Sequence, residues 1–311
     1  MGWEGTILTS SDGISWTSRT SGISKLLNGV TYGNNTFVTV GNSGTFLTSP
    51  DGNSWTKRTS VTSKSLVGVT YGNGLFVTVG YRGTILTSSD GNSWTERTSG
   101  ISKSLREVTY GNGLFVTVGL SGTILTSLDG TSWTERTSGI SKLLNEVTYG
   151  NSIFVTVGQS GTVLTSSDGT TWTSRTSGTT EDLYGGVTYG NSTFVTVGSS
   201  GVILTSPDGT TWAKRNSGTS EEFLGVTYGN GIFLTIGLDG NILISPDGTT
   251  WTEGSYENSY SYGFFKAATY GNGIFLTVSK NGAIQTSPDG TIWTERTSGI
   301  SGWLREVIYS Q

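Results

Sequence analysis

The chain has 311 residues, of which 48 are Gly, 10 are Trp and 4 are Pro, and it contains no Cys or His. Without those two residue types it can form no disulfide, no Ser-His-Asp or Cys-His triad, and no zinc, haem or iron–sulfur site of the common kinds. A formal net charge of −4 argues against a nucleic-acid partner, because binding to phosphates needs a basic surface.

In chain order, the first segment to show a pattern is the second half of a repeating unit. Residues 5–20 contain two short β-prone runs around an Asp-Gly pair at Asp12. Seven complete units follow over residues 30–297, and residues 305–310 supply the start of another. The sequence therefore predicts a single domain over residues 1–311, built from about eight repeats of 39–42 residues.

The unit that begins at Val69 shows the order of elements within each repeat. Four short β-prone runs lie at residues 69–71, 75–79, 84–87 and 93–97, separated by Gly-rich or Asp-Gly turns. Such turns are typical of antiparallel hairpins, and no stretch shows the apolar period of a helix. Four strands in a period of about 40 residues indicate a β-propeller blade, so the predicted fold class is all-β.

The two ends of the chain are out of phase with the repeat. We therefore predict an eight-bladed propeller of four-stranded antiparallel blades, with the closing blade built from both termini, which removes free sheet edges. That blade lacks most of its second strand, because residues 113–117 have no counterpart between Gln311 and Met1. It is predicted either to keep a gap or to be filled from outside this sequence, and the start at Met1 suggests an excised or engineered boundary.

The Asp-Gly turn has a physical explanation. All four Pro precede its Asp, and Pro presets φ for the second position of a type I turn. Asp can accept hydrogen bonds from nearby backbone N–H groups, Gly takes the positive φ that follows, and the next Trp buries a large apolar surface. We interpret as structural the residues Asp12, Asp51, Asp90, Asp129, Asp168, Asp208, Asp247, Asp289, Trp16, Trp55, Trp94, Trp133, Trp172, Trp212, Trp251 and Trp293.

This turn resembles the Asp-box, or BNR, repeat of bacterial sialidases, sortilin-type receptors and photosystem II assembly-factor-like propellers. The family pattern is Ser-x-Asp-x-Gly-x-Thr-Trp, whereas residues 49–55 read Ser-Pro-Asp-Gly-Asn-Ser-Trp, which is one residue shorter. The resemblance covers nearly the whole chain and implies a propeller. It also implies that the box is a structural hairpin away from the functional face.

An apolar residue precedes each first strand at a constant place in the repeat. Positions that do not vary between repeats are expected to belong to the scaffold. We therefore expect packing at Leu27, Leu66, Leu105, Leu144, Tyr184, Phe223, Phe265 and Leu304.

Residues that vary between repeats concentrate in two sets of loops. One set is the turn between the second and third strands, and the other is the connection to the next blade. Both sets project from the same face of an up-and-down blade, where loops on a rigid scaffold commonly bind ligands. The insertion at residues 254–266 is rich in Tyr, Ser, Gly and Asn, as binding loops are. The candidate ligand-binding residues are Trp3, Tyr81, Leu120, Leu238, Tyr256, Tyr260, Tyr262, Phe264 and Trp303.

Charged residues are unevenly placed on the same predicted face. Four successive repeats carry a Lys before the first strand, and the next two carry acidic residues there: Lys25, Lys64, Lys103 and Lys142, then Glu181, Asp182, Glu221 and Glu222. A dipolar rim of this kind can orient a protein partner, although ordinary solvated surface charge also explains it. Glu107, Glu146 and Glu306 are expected near the mouth of the central channel, where paired carboxylates can bind a cation or perform acid–base chemistry.

The preferred interpretation is a non-enzymatic scaffold that binds a protein or glycan through its variable face. One alternative is a structural repeat protein formed by recent blade amplification, with no selected ligand. Another is a glycoside hydrolase that uses Glu107 and Glu146. We expect no catalytic residue, cofactor or metal. No nucleic-acid or membrane partner is expected either, since no apolar run reaches the roughly 18 residues of a membrane span. A monomer is favoured, with strand exchange at the closing blade as the alternative.

Overall fold

The computed structural model describes residues 1–256 and 264–310. Within these ranges the chain forms β-strands and short 3-10 turns but no α-helix, and no helix there could span a membrane. The strands form seven sheets in which four antiparallel strands pair in chain order, and a separate two-stranded sheet near the amino terminus. We call the seven sheets blades 1 to 7.

The terminal hairpin consists of β1 (Ile7–Thr9) and β2 (Thr17–Arg19). Blades 1 to 3 consist of β3 (Leu27–Gly33), β4 (Thr36–Gly41), β5 (Thr45–Ser49) and β6 (Thr56–Lys57); β7 (Leu66–Gly72), β8 (Leu75–Gly80), β9 (Ile85–Ser88) and β10 (Thr95–Arg97); and β11 (Leu105–Gly111), β12 (Leu114–Gly119), β13 (Ile124–Ser127) and β14 (Thr134–Arg136).

Blades 4 to 6 consist of β15 (Leu144–Gly150), β16 (Ile153–Gly158), β17 (Val163–Ser166) and β18 (Thr173–Arg175); β19 (Val187–Gly190), β20 (Thr193–Val197), β21 (Ile203–Ser206) and β22 (Ala213–Arg215); and β23 (Phe223–Gly229), β24 (Ile232–Gly237), β25 (Ile242–Ser245) and β26 (Thr252–Glu253). Blade 7 consists of β28 (Phe265–Gly271), β29 (Ile274–Ser279), β30 (Ile284–Ser287) and β31 (Ile292–Arg296), with β27 (Ser255–Tyr256) added in parallel to β31.

Seven 3-10 turns precede third strands, in the hairpin and in blades 1 to 6: Trp3–Gly5, Asn42–Gly44, Tyr81–Gly83, Leu120–Gly122, Gln159–Gly161, Ser199–Gly201 and Leu238–Gly240. In each turn the middle residue has a positive φ, as does the Gly that follows; the values are 57° at Arg82 and 70° at Gly83. The backbone of these turns is therefore constant, while the side chain at the first position is free to vary.

The Tyr-Gly pair packs each first strand against the next one. A Cβ built on Gly72 would lie 2.3 Å from Cγ of Tyr110, so a side chain there would collide with the ring of the following blade. The same contact recurs from one blade to the next, and Tyr309 makes it with Gly271. These close approaches line up the first strands around a central channel.

The Asp-Gly turn is held by its carboxylate. In blade 1, Asp51 accepts hydrogen bonds from Oγ of Ser49 and from the backbone N–H groups of Asn53 and Ser54. Such hydrogen bonds stabilise the charged form of a carboxyl, so the pKa of each of the eight box Asp residues lies below its usual range. The pKa of Asp12 is lowered to about 2, mainly by the backbone N–H groups of Ser15 and Ile14.

The box Trp fills the space between neighbouring blades. Its Nε1 donates to the carbonyl oxygen of the box Gly in every repeat, at 2.8 Å in blade 2 from Trp94 to Gly91. The Trp94 ring stacks on Phe46 of blade 1, with 4.5 Å between ring centroids. The apolar core consequently lies between blades, in clusters that combine residues of two successive sheets.

The residue before each first strand is buried as expected, with one exception. Leu27, Leu66, Leu105, Leu144, Phe223, Phe265 and Leu304 are at most 1% exposed. Tyr184 is 40% exposed, whereas Leu183 is fully buried and donates its N–H to the carbonyl of Gly158. The prediction for Tyr184 is wrong because the connection into blade 5 is one residue longer, which moves the packed position back to Leu183.

The prediction of an eight-bladed propeller, with a closing blade built from both termini and lacking most of one strand, is also wrong, since the described residues form seven four-stranded blades. The amino-terminal residues supply only the two strands of the hairpin, and residues 305–310 form no strand. Leu8 of the hairpin packs on blade 7 and Ile7 packs on blade 1. We call this region, the β1–β2 hairpin together with residues 1–6 and 303–310, the seam.

Candidate functional site

The two variable loop sets lie together on one face, as predicted. The turns that precede third strands bond to the connections that precede first strands: Asn42 donates its N–H to the carbonyl of Leu26, and Tyr81 donates to Ser65, both at 2.9 Å. We call this side the connection face. The Asp-Gly turns lie on the other side near the Tyr-Gly-Asn turns, where Asn34 Nδ2 donates to the carbonyl of Ser89. We call that side the box face.

Three predicted candidate residues converge at the seam on the connection face. The rings of Trp3 and Trp303 are 5.6 Å apart and tilted by 53°. The ammonium of Lys280 lies 4.8 Å from the centroid of Phe264 and 5.1 Å from that of Trp303. Trp3, Phe264 and Trp303 are 47%, 42% and 50% exposed, so these four residues form an open aromatic cluster around one cation. We call it the seam cluster.

Backbone hydrogen bonds position the seam cluster. The N–H of Trp3 donates to the carbonyl of Trp303 at 2.8 Å, beside an antiparallel bridge between Gly2 and Leu304. The N–H of Lys280 donates to the carbonyl of Phe264 at 3.1 Å. The four side chains therefore stand on a preformed scaffold, and cation–π contacts hold the ammonium between two rings.

The other predicted candidates are not gathered into this cluster. Tyr81, Leu120 and Leu238 stand at the first position of the turns of blades 2, 3 and 6, so they are distributed around the connection face. Tyr256 belongs to β27, at the outer edge of blade 7. Tyr260 and Tyr262 lie outside the described residues.

Lys280 completes the cluster, although it was not among the predicted ligand-binding residues. It stands at the variable turn position of blade 7, but one lysine in a turn is ordinarily a solvated charge. The sequence feature that could have identified Lys280 is its position between the connections that carry Phe264 and Trp303. Only the spatial neighbourhood of Phe264 and Trp303 shows that its ammonium faces rings.

Charged residues of the connections take part in local contacts. Asp182 accepts from the N–H of Ser160 at 2.6 Å and also from the hydroxyl of Tyr184. Glu181 accepts from Oγ of Ser200. The lysines before blades 1 to 4 and the acidic residues before blades 5 and 6 stand in the connections of successive blades.

Charged side chains line the central channel. They come from the first strands of blades 3, 4 and 7 and from residues 305 and 306 of the seam. It encloses about 450 Å³ and is lined by Glu107, Glu146, Glu306, Lys266, Arg106 and Arg305, among other residues. Burial raises the pKa of Glu107 to about 7, and it also raises the pKa of Glu306. The pKa of Glu146 lies well above its ordinary value, because of burial and of the Glu107 charge.

Three basic residues share the channel with the three carboxyls: Lys266, Arg106 and Arg305. Burial lowers the pKa of Lys266, and the Arg305 charge lowers it further. The Nε atom of Arg106 is buried without a hydrogen-bond partner. Within residues 1–256 and 264–310, no group of three or more Asp or Glu side chains is arranged to hold a metal ion. Burial thus favours the uncharged forms of the three channel carboxyls.

The sequence matches no protein-family model and no curated protein. Among solved structures it is similar to the computationally designed Ika8 protein, with a TM-score of 0.73 and 13% identity over 92% of this chain and 91% of that chain. It is also similar to YCF48 bound to D1 peptide, with a TM-score of 0.65 and 18% identity over 88% and 94%. YCF48 from Cyanidioschyzon merolae gives 0.61 and 15% over 81% and 92%.

These likenesses, all below 25% identity, establish the β-propeller fold and nothing narrower. The chain is a β-propeller.

Proposed function

We propose that this β-propeller is a non-enzymatic scaffold that binds a segment of a partner protein through the seam cluster. The observation that carries the proposal is the convergence of three exposed aromatic rings and one ammonium on a preformed backbone. Aromatic residues, Trp above all, are the side chains that most often dominate protein–protein contacts. The rim of lysines followed by acidic residues would orient the partner as it approaches.

A neighbouring structure gives this choice of partner independent support. YCF48 has the same fold and is described with a bound D1 peptide. A propeller of this shape can therefore present a surface to a peptide, and the seam cluster offers one three exposed aromatic rings close together. Glycan binding is the second candidate, since two exposed Trp rings offer flat apolar faces to a sugar.

The test is a selection of random 12-residue peptides on phage against the immobilised protein, run in parallel with a glycan array. We expect enriched peptides that bind at least tenfold more weakly to Trp303→Ala and to Trp3→Ala. Leu128→Ala is the matched control, because Leu128 is 73% exposed and apolar but lies in a box turn on the opposite face.

Two outcomes would contradict this proposal. Peptides that bind both Trp variants as tightly as the parent protein would place the interaction elsewhere. Enrichment of neither peptides nor glycans would favour a structural repeat protein without a selected ligand. Thermal unfolding of each variant separates lost binding from lost folding.

A further inference from the structure

A β-bulge turns two successive residues of most first strands towards the central channel. In blade 3 the register of β11 on β12 shifts between Leu105 and Glu107, so Arg106 has no partner across the two strands. The same shift occurs in blades 1, 2, 4, 6 and 7. Bulges re-aim side chains in this way, and here both Arg106 and Glu107 line the channel.

The charged residues of the channel form two layers. First strands run from the connections towards the Tyr-Gly-Asn turns, so the first residue of each lining pair lies nearer the connection face. The charged residues of this outer layer are all basic: Arg106, Lys266 and Arg305. The charged residues of the inner layer are all carboxyls: Glu107, Glu146 and Glu306.

Small residues give the channel room at the level of the carboxyls. In five blades the place that Glu107 holds in blade 3 is taken by Gly29, Gly68, Gly186, Gly225 and Ala267. The next residues along these strands, towards the box face, are apolar: Val30, Val69, Val187, Val226 and Ala268. The channel volume of about 450 Å³ is within the range of pockets that bind small molecules.

The two charged layers do not satisfy each other. No salt bridge joins any of the three cations to any of the three carboxyls, and all six residues are among those that the structure describes. The Nε atom of Arg106 is buried without a partner, whereas the equivalent Asn28 of blade 1 donates to the carbonyl of Leu66 at 2.7 Å. The carboxyl of Glu146 accepts no hydrogen bond from a described residue.

A ligand that satisfies both layers carries one group of each charge. An anion alone would pair with the basic layer and leave the carboxyls unpaired, and an amine alone would do the reverse. A guanidinium group can bind a carboxylate through two parallel hydrogen bonds. A metal ion does not fit the inner layer, since no three acidic side chains in residues 1–256 and 264–310 are arranged to hold one.

We propose that the central channel binds a free α-amino acid with an apolar side chain. Its carboxylate pairs with the basic layer, above all with Arg106, and its ammonium group lies against the carboxyl layer, above all against Glu146. The two charged groups of an α-amino acid are attached to the same carbon atom, and the two layers are formed by successive residues of the chain. The apolar side chain then points towards the valines. This site is separate from the seam cluster and does not depend on the proposed function.

The experiment is calorimetric titration of the intact protein with L-leucine as the probe. Leucine should bind saturably, with one molecule per chain. Isocaproate is leucine without its ammonium group, and isoamylamine is leucine without its carboxylate. Each analogue should bind at least about tenfold more weakly, because one charged layer stays unpaired. Glycine should also bind more weakly than leucine, since it has no side chain to bury against the valines.

Substitutions test whether the binding takes place in the channel. Arg106→Gln should reduce the affinity for leucine to that for isoamylamine, and Glu146→Gln should reduce it to that for isocaproate. Arg82→Gln is the matched control, because Arg82 is exposed in a turn of the connection face outside the channel. Thermal unfolding shows whether each variant folds, and Arg305→Gln takes the place of Arg106→Gln if that variant does not.

Three results would overturn the inference. The first is no saturable binding of leucine to the parent protein at millimolar concentration. The second is binding of isocaproate, isoamylamine or glycine as tight as that of leucine, because the channel would then select a plain anion, a plain amine or no side chain. The third is undiminished leucine binding by the folded arginine variants, which would place the ligand outside the channel.

Discussion

The seven complete blades and the seam are built from the same repeat, but they differ in how completely the repeat is satisfied. In blade 5, the box Trp212 is 9% exposed and packs with Val155 and Val157 of blade 4. At the seam, Trp16 bonds to its Gly in the same way, yet one of its packing partners is missing. The difference teaches that the turn chemistry of the box forms wherever its residues occur, whereas the ring contact with a Phe, as between Phe194 and Trp212, needs a second strand.

The largest effect expected is on a box Trp in a complete blade. Trp212→Ala should lower the free energy of unfolding by about 3–5 kcal/mol, because it leaves a cavity between two blades. Trp16→Ala should cost about 1–2 kcal/mol, since its ring is only half-buried. Urea unfolding followed by circular dichroism measures both. Equal losses from the two variants would show that the seam is packed as tightly as a complete blade.

A smaller effect is expected at Gln285 in blade 7, which holds a position that is Leu in every other blade. Gln285 is fully buried, and its Nε2 and Oε1 atoms have no hydrogen-bond partner. Its strand neighbour Thr277 likewise has an unpaired Oγ1, whereas Thr78 donates from the same place to Gly68. Gln285→Leu should raise the free energy of unfolding by about 1–3 kcal/mol, because unpaired buried polar atoms cost about that much.

The reciprocal change is the control for Gln285. Leu204→Gln, at the fully buried equivalent position of blade 5, should destabilise the protein. A lower denaturation midpoint for Gln285→Leu would instead show that the amide of Gln285 makes stabilising hydrogen bonds in the folded protein.

Next comes the pH dependence of the channel. Because the pKa of Glu107 is raised in the folded protein to about 7, by burial above all, its contribution favours the folded state at low pH. The contribution of Glu107 to stability should therefore fall as pH rises from its ordinary pKa of 4.5 to about 7, by at most about 1.4 kcal/mol per pH unit for one proton. Glu107→Gln should reduce this slope in thermal unfolding, while the raised pKa values of Glu146 and Glu306 leave part of it. Glu135→Gln, on the exposed strand β14, should leave the slope intact, and an unchanged slope in both variants would refute the assignment to Glu107.

The smallest effect on stability is expected in the seam cluster. Trp3→Ala should change the free energy of unfolding by about 1 kcal/mol or less, because about half of its surface is exposed and its ring contact with Trp303 is tilted. Chemical denaturation checks this value. A loss as large as that of Trp212→Ala would make Trp3 a packing residue rather than a binding one.

Much of the architecture could be predicted from the sequence, because it depends on local chemistry. The strands, the Asp-Gly turns and the shared face of the variable loops follow from residues a few positions apart. The number of four-stranded blades could not be predicted from the box motifs. Eight motifs indicate eight turns between a third and a fourth strand. A complete blade also needs a first and a second strand, and at the seam residues 305–310 form no strand.

The candidate site was predicted in part. Trp3, Phe264 and Trp303 were identified as exposed aromatics on variable loops, and the structure brings them together because the segments at both ends of the chain bridge at Gly2 and Leu304. Lys280 was not identified as a site residue, since nothing in one lysine indicates the rings beside it. Tyr81, Leu120 and Leu238 have the same local signal but remain on separate blades.

The sequence by itself determined the repeat, its strands and its turns, because these depend on φ preferences, short-range hydrogen bonds and alternating apolar residues. Only the tertiary structure decided which blades are complete, which rings share an ammonium, and which carboxyls lie close enough in the channel to raise one another's pKa. Those properties depend on contacts between residues of different blades, the most distant in sequence being Met1 and Glu306, and no local pattern encodes them.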